Sequence, residues 1–259
     1  MGSHVIVGAR TPGSALTASD VLHRCVLTAG LDEAHIERIA RASRMYSFSA
    51  QSEVFEEGEP SKGLWILGRG RLRLVHVMAD GRQQVVGFKG PDMPVELTSV
   101  LDGRPYTATA VVQDDAVLVF LPRPVLLSVV RRYPVTLHNA IDQVCLEMRQ
   151  RDIASAVTTL KDSRGRIACG LLHLMRQFGT QDENGVRIGY RLTRQDIADR
   201  AGVTLETAIR VISEYQREGI VRTKSQIIEI VDMRRLMAYA GCDDCQFDCS
   251  VFAGNRRKP

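Results

Sequence analysis

The sequence predicts an α+β chain in three parts: an N-terminal jelly-roll β-barrel, a long helix, and a C-terminal winged helix-turn-helix. Three observations carry this. Residues 53–121 read as short β-branched and aliphatic runs punctuated by glycine, the signature of a small antiparallel barrel. Residues 135–159 place apolar side chains at spacings of three and four, as one long helix does. Residues 191–221, "RLTRQDIADRAGVTLETAIRVISEYQREGIV", read as helix, tight turn and helix, each helix opened by a threonine. A chain of 259 residues with 44% hydrophobic residues has the material for two cores.

In chain order, residues 1–18 are rich in Gly, Ser, Thr and Ala and are expected to be poorly ordered. The barrel domain is placed at 19–133. Ahead of its strands, "GLDEAHIERIARASRMYSF" carries Ile36, Ile39 and Ala40 at helical spacing, a short helix laid on the barrel. Turns are expected at Asp80-Gly81 and Asp114-Asp115, each between two apolar runs. After Pro134 the long helix, placed at 134–160, bears a stripe of Leu137, Ile141, Val144, Cys145 and Met148, which needs a partner surface. Asp152 falls on that seam one turn after Met148, at a solvated edge or with a task of its own. The next helix starts near Asp162 or Ser163 and ends at Gly179, and "TQDENGVRIGY" is expected to be a loop.

The 161–235 segment is the most specific. Thr193 and Thr204 cap the two helices, Gly202 makes the turn, and Ile197, Ala201, Ala208, Val211 and Ile212 face inward. Leu205, Glu206, Ile209 and Arg210 then project from the N-terminal half of the second helix, where a recognition helix enters a major groove. An arginine there can grip guanine through two hydrogen bonds, and a glutamate can accept from cytosine. Thr193, Arg194, Thr204 and Thr207 complete the candidate DNA-contacting set. Residues 187–224 hold eight Arg or Lys against five acids, a local excess suited to phosphates. "IVRTKSQIIEIVD" reads as the wing hairpin. The alternative is an ordinary helical hairpin packed in a core, against which the capping and the turn weigh together.

The whole chain carries a net charge of +4 with a pI near 8.8, which permits anionic partners without requiring them. No apolar run reaches membrane-spanning length and no secretory signal pattern opens the chain, so a cytoplasmic protein is expected. No nucleophile–base motif, phosphate loop or H-E-x-x-H occurs, and an enzyme is not expected.

The order barrel, long helix, winged helix-turn-helix resembles the CRP/FNR family of bacterial transcription regulators over about residues 20–235, with "GEPSKGLWILGRGRLRLV" like the family's first barrel strands and "LTRQDIADRAGVTLETAIRVISEYQREGIV" like its DNA-binding element. The resemblance implies a cyclic-nucleotide-binding-like barrel, a homodimer joined along the long helix, a palindromic double-stranded DNA site and contact with RNA polymerase. Glu206 and Arg210 match the half-site-reading Glu and Arg of family members. Leu205 stands where cyclic-AMP-type members carry a further arginine, which suggests an FNR-type site.

In the cyclic-nucleotide-binding members a Gly-Glu pair and, about ten residues on, an Arg followed by a hydroxyl residue hold the ligand. The matching stretch is "PVELTSVLDGRPYTATAVV": Glu96 and Thr107 are present, Val95 replaces the glycine, Tyr106 replaces the arginine, and Arg104 lies two residues early. Cyclic AMP is therefore not expected in the barrel, which reads as a structural relay. Haem is weakly supported, since no C-x-x-C-H occurs and the six histidines are scattered; His76 at a strand end reads as exposed or hydrogen-bonded.

The tail, 236–259, contains "GCDDCQFDCSVF". Cys242, Cys245 and Cys249 put three thiols within eight residues, just past a helix that Gly241 ends. In a reducing compartment such a cluster points to metal or redox chemistry. Three readings follow from the residues: zinc, with a fourth ligand from an aspartate or a remote Cys or His; an iron–sulfur cluster; and a metal-free thiol switch. The family favours the second. This tail is similar to an FNR subgroup of Gram-positive bacteria whose three cluster cysteines follow the DNA-binding domain and whose fourth ligand is an aspartate of the dimer helix. That similarity implies a [4Fe–4S] centre on Cys242, Cys245, Cys249 and Asp152, sensing oxygen, nitric oxide or redox state. Asp162, Cys145 and Cys169 are weaker candidates, the two cysteines reading as core residues.

Overall fold

The first regular strand with a full register is β2, Arg44–Phe48, and it pairs along its length with β7, Thr109–Pro122. The computed structural model describes residues 5–6, 16–78, 83–182, 185–243 and 247–253. It divides into two compact units, residues 1–145 and 146–259, and the boundary falls within the long helix α5, Pro134–Leu160.

The first unit begins with a two-residue strand β1, Val5–Ile6, against β2. Apart from that pair and Leu16–Ala18, the stretch expected to be poorly ordered lies outside the described residues. Helix α1, Ala18–Arg24, is closed at its start by a capping box of Thr17 and Asp20. Helix α2, Glu33–Arg41, is the one the apolar spacing predicts, with Ile36 and Ile39 buried. β3 is Glu53–Phe55, β4 Gly63–Val77, β5 Gln83–Lys89 and β6 Pro94–Val95. The main path of the antiparallel sheet is β1-β2-β7-β4-β5, with β3 added to β7 and β6 to β4. Leu64, Ile66, Leu67, Leu72, Ala110, Val112, Leu118 and Val119 fill its interior. Helices α3, Leu97–Asp102, and α4, Arg123–Arg132, complete the unit, and the start of α5 packs Ala140 and Val144 on the same core.

The expected turn at Asp114-Asp115 is not a turn. β7 runs straight through it, and the ladder with β4 shifts there, pairing Arg69 with Val117 but Arg71 with Asp114. The extra residue is absorbed as a bulge opposite Gly70, whose φ is +93° and where a Cβ would stand 2.8 Å from Ala116. The two aspartates signalled a turn by type, but Arg71 pairs with Asp114 at 3.3 Å and Asp115 accepts from Ala50 N–H at 2.9 Å. The Asp80-Gly81 turn lies outside the described residues; the strands on either side of it pair from Val77 with Gln83.

The second unit holds α6, Ser163–Phe178, capped by Asp162 accepting from Gly165 N–H at 2.8 Å. The stretch expected as a loop is instead a hairpin of β8, Gly179–Asp182, and β9, Gly185–Arg191. Its polar residues hid the alternation by which Ile188 and Tyr190 reach the core. Helices α7, Arg194–Ala201, and α8, Leu205–Arg217, follow. The wing forms as expected: β10, Val221–Lys224, and β11, Ile227–Ile230, joined through Ser225 and Gln226, both at positive φ as a two-residue hairpin loop requires. The sheet order is β10-β11-β9-β8. Helix α9, Met233–Tyr239, buries Leu236 and straddles the expected boundary between the DNA-binding segment and the tail.

Along α5 the stripe divides. Val144 packs on the barrel core, while Leu137 is 45% exposed, Ile141 52% and Met148 59%. Cys145, expected in the core, is exposed on the same side. Asp152 is exposed one turn beyond Met148.

Candidate nucleic-acid interface and thiol site

The recognition surface is built from its caps upward. Thr193 Oγ1 and N–H both donate to Asp196 Oδ2, at 2.7 and 2.9 Å, and Asp196 N–H returns to Thr193 Oγ1 at 3.0 Å. These bonds satisfy the free N–H groups at the start of α7. Gly202 ends α7 with φ +60°, and Thr204 accepts from Thr207 N–H at 3.2 Å to open α8. The turn sets α8 with Ala208, Val211, Ile212 and Tyr215 buried. That leaves Leu205, Glu206, Ile209 and Arg210 on the solvent face, where the sequence places them.

Thr193 and Thr207 are half-buried and Thr204 is exposed; the hydroxyls of Thr193 and Thr204 serve as caps, and that of Thr207 accepts from Thr204 Oγ1. Arg194 reaches Gln216 Oε1 at 3.5 Å, and partial burial holds its guanidinium below the usual arginine range. Arg210 rests on Glu214 at 3.4 Å, while Arg164 grips the other oxygen of Glu214 at 2.9 Å. Glu214 thus has a second partner, Arg164, besides Arg210. Beside α8, a groove on the wing sheet is lined by Arg187, Arg222, Lys224 and Gln216, a surface suited to phosphates.

In the barrel, the side chains at the ligand-type positions are committed elsewhere. Glu96 is buried with φ +54°, and its Oε2 accepts from Ser99 Oγ, Thr107 N–H and Thr107 Oγ1 at 2.9–3.0 Å. Tyr106 stacks on Phe55 at 3.9 Å and donates to Gly63 O at 2.8 Å; burial pushes its phenol up to about 12. Arg104 stands in solvent beside Asp102. His76 is hydrogen-bonded to Glu57 at 3.0 Å, as the strand-end reading expects.

Two of the tail's thiols, Cys242 and Cys249, lie against α6. After α9, Gly241 adopts φ +60° and Cys242 N–H bonds Met237 O at 3.0 Å, a helix stop that fixes the direction of Cys242. Cys245 lies outside the described residues. Residues Cys249–Phe252 form a single 3₁₀ turn; Phe252 stacks flat on His173 at 3.7 Å, and Cys249 Sγ lies 3.6 Å from His173 Nε2. Cys242, Cys249, Cys169 and His173 line one small pocket with Val157, Leu172, Arg176 and Phe247. Cys169 is buried and directs its thiol at Ala240 O. His173 was among the scattered histidines of the sequence; its place four residues after Cys169 on one helix face was the signal that could have found it. Burial, with Arg200 and Arg176 nearby, pushes its imidazole down to about 3, so the ring is neutral at ordinary pH. Gln150 of α5 holds the tail by donating to Val251 O at 2.6 Å.

Asp152 does not join this pocket. Gln150 and Val157 mark the side of α5 that meets the tail, and Asp152 lies two residues past Gln150, about 200° round the helix. The iron–sulfur ligand set that the resemblance implies is thus not gathered within one chain among the described residues. Asp162 is occupied as the cap of α6, and Cys25, near the N-terminus, is fully buried with its thiol pushed up to about 12. Among the described residues no three His, Cys, Asp or Glu stand together at metal-holding distance.

Comparison with known proteins fits this layout. Residues 46–133 match the cyclic nucleotide-binding domain and residues 165–239 the Crp-like helix-turn-helix domain. The CRP-like cAMP-activated global transcriptional regulator of Mycobacterium tuberculosis is 28% identical over 84% of this chain and 97% of its own length. The transcriptional activator protein anr of Pseudomonas aeruginosa is 22% identical over 73% of this chain and 77% of its own. FixK2 from Bradyrhizobium japonicum superposes with a TM-score of 0.68 at 22% identity, covering 76% of this chain and 96% of that one. A CRP-family regulator from Thermus thermophilus superposes at 0.64 and 23% identity, covering 75% and 96%. The tail cysteines fall beyond both matched domains. A cyclic nucleotide-binding domain followed in one chain by a Crp-like helix-turn-helix makes this protein a transcription regulator of the CRP/FNR family.

Proposed function

We propose that the protein is a homodimeric, sequence-specific DNA-binding regulator that reads a palindrome with α8, engages RNA polymerase, and takes its signal from a metal centre on the tail's thiols, Cys242, Cys245 and Cys249. The observation that carries the DNA reading is the solvent face of α8, where Glu206 and Arg210 are presented from a capped, buried-backed helix. The apolar stripe Leu137, Ile141, Cys145 and Met148 on α5 supports the dimer, since one chain leaves it in water.

The signal reading rests on the tail's position. Gln150 ties it to α5 and the pocket around His173 ties it to α6, so a centre bound there would couple helix and DNA-binding segment. Binding or losing the centre shifts the protein between two arrangements only by its different affinity for each. A barrel acting as relay is supported by Tyr106, which fills with a stacked phenol the position where a nucleotide phosphate would need a cation. Some relatives are named for cyclic AMP, so the nucleotide is the second reading.

The test is selection of bound duplexes from a random pool by the anaerobically purified protein, with affinity measured against salt and with cyclic AMP added. The expected outcome is a palindromic site, steeply salt-dependent binding and no response to the nucleotide. Binding without sequence preference would overturn the DNA reading, and a cyclic AMP response would move the signal to the barrel.

A further inference from the structure

The distance between Cys249 Sγ and His173 Nε2, 3.6 Å, decides what kind of centre the pocket suits. A tetrahedral ion with a thiolate at about 2.3 Å and an imidazole at about 2.0–2.1 Å separates those donors by about 3.6 Å. In an iron–sulfur cubane each protein ligand takes its own iron, so two ligands stand apart by a cluster edge as well as two bonds. The pair is therefore spaced for one ion.

The pair is also built. His173 comes from the third turn of α6, a helix anchored in the core by Ile167, Leu171 and Leu174. Its ring plane is fixed by Phe252, three residues after Cys249 in the same 3₁₀ turn, so one short segment both orients the imidazole and brings the thiol to it. Cys242 lines the same pocket from its helix-stop position. Apolar walls from Val157, Leu172 and Phe247 shield the space.

We propose that His173 is a ligand of the tail centre, and that the centre is a single tetrahedral ion of the zinc class that forms on the Cys249–His173 pair, with Cys242 closing on it from the same pocket when the ion binds. This rests on the reading that the tail binds metal. It takes His173 from α6 where the family-derived set takes Asp152 from α5, and it does not call on Cys245.

The experiment is metal and sulfide analysis of the full chain purified without oxygen, together with the absorption spectrum of the cobalt-substituted protein. Expected are one zinc per subunit, no sulfide, and cobalt bands of a mixed sulfur–nitrogen tetrahedral site. His173→Ala should lower metal affinity by more than about 100-fold, beyond what loss of an outer-shell neighbour costs. His173→Cys should keep the ion and shift the cobalt bands towards the thiolate-rich pattern, a readout that remains if the alanine variant fails to fold. Asp152→Asn should change nothing. Iron and sulfide in equal number, lost in Asp152→Asn and kept in the His173 variants, would overturn the inference and leave the metal-sensing reading standing. A wild-type protein that binds no metal would overturn both, reducing the pair to a thiol–imidazole hydrogen bond.

Discussion

In the proposed DNA reading, Arg210 is the residue on which base recognition turns. It is exposed, lies on the solvent face of α8, and leans on a glutamate that Arg164 also holds. Arg210→Ala is expected to cost about 1–3 kcal/mol in binding the selected site and much less on random duplex, measured by competition at fixed salt. Equal loss on both would make Arg210 a phosphate contact. Tyr106 belongs to the same scale: its hydroxyl bond to Gly63 O is buried, so Tyr106→Phe should lower unfolding free energy by about 0.5–1.5 kcal/mol in a denaturant titration, with DNA binding kept. The residues of α8 were legible in the sequence because caps, turn and period all act within a few positions. His173 was not, because its meaning depends on a cysteine 76 residues away.

At the scale of elements, two glycines separate backbone geometry from packing. Gly202 holds φ +60° with room for a methyl group, its nearest neighbour being Thr158 Cγ2 at 3.5 Å. Gly202→Ala should therefore cost about 1–2 kcal/mol, the left-handed penalty alone. Gly70 combines φ +93° with a Cβ position 2.8 Å from the Ala116 backbone, so Gly70→Ala should destabilise by more than Gly202→Ala in the same titration. The bulge it serves explains why Asp114-Asp115 reads as a turn and is not one: the residue types fit a loop, and only the partner strand shows that the ladder continues. The β8–β9 hairpin was missed for a related reason, since its strands gain their apolar neighbours from α6 and β11.

For the whole molecule, α5 is the element with two apolar sides, one on the barrel core and one in water. Ile141→Asp should yield a monomer by sedimentation and lose affinity for a palindrome while keeping residual half-site binding, because one charge on a two-fold interface is met by its copy. A variant that stays dimeric would place the interface elsewhere.

The sequence by itself determined the order of parts, the span of α5 within a residue at each end, the caps and turn of the helix-turn-helix and the exposed face of α8. These follow from periodicity and capping, which are local in the chain. The tertiary structure alone decided that Asp114-Asp115 is a bulge, that Cys145 faces outward while Cys169 is buried, that Asp152 looks away from its own tail, and that His173 meets Cys249. Each of those depends on which surfaces pack together, and packing joins residues whose separation along the chain carries no periodic signal.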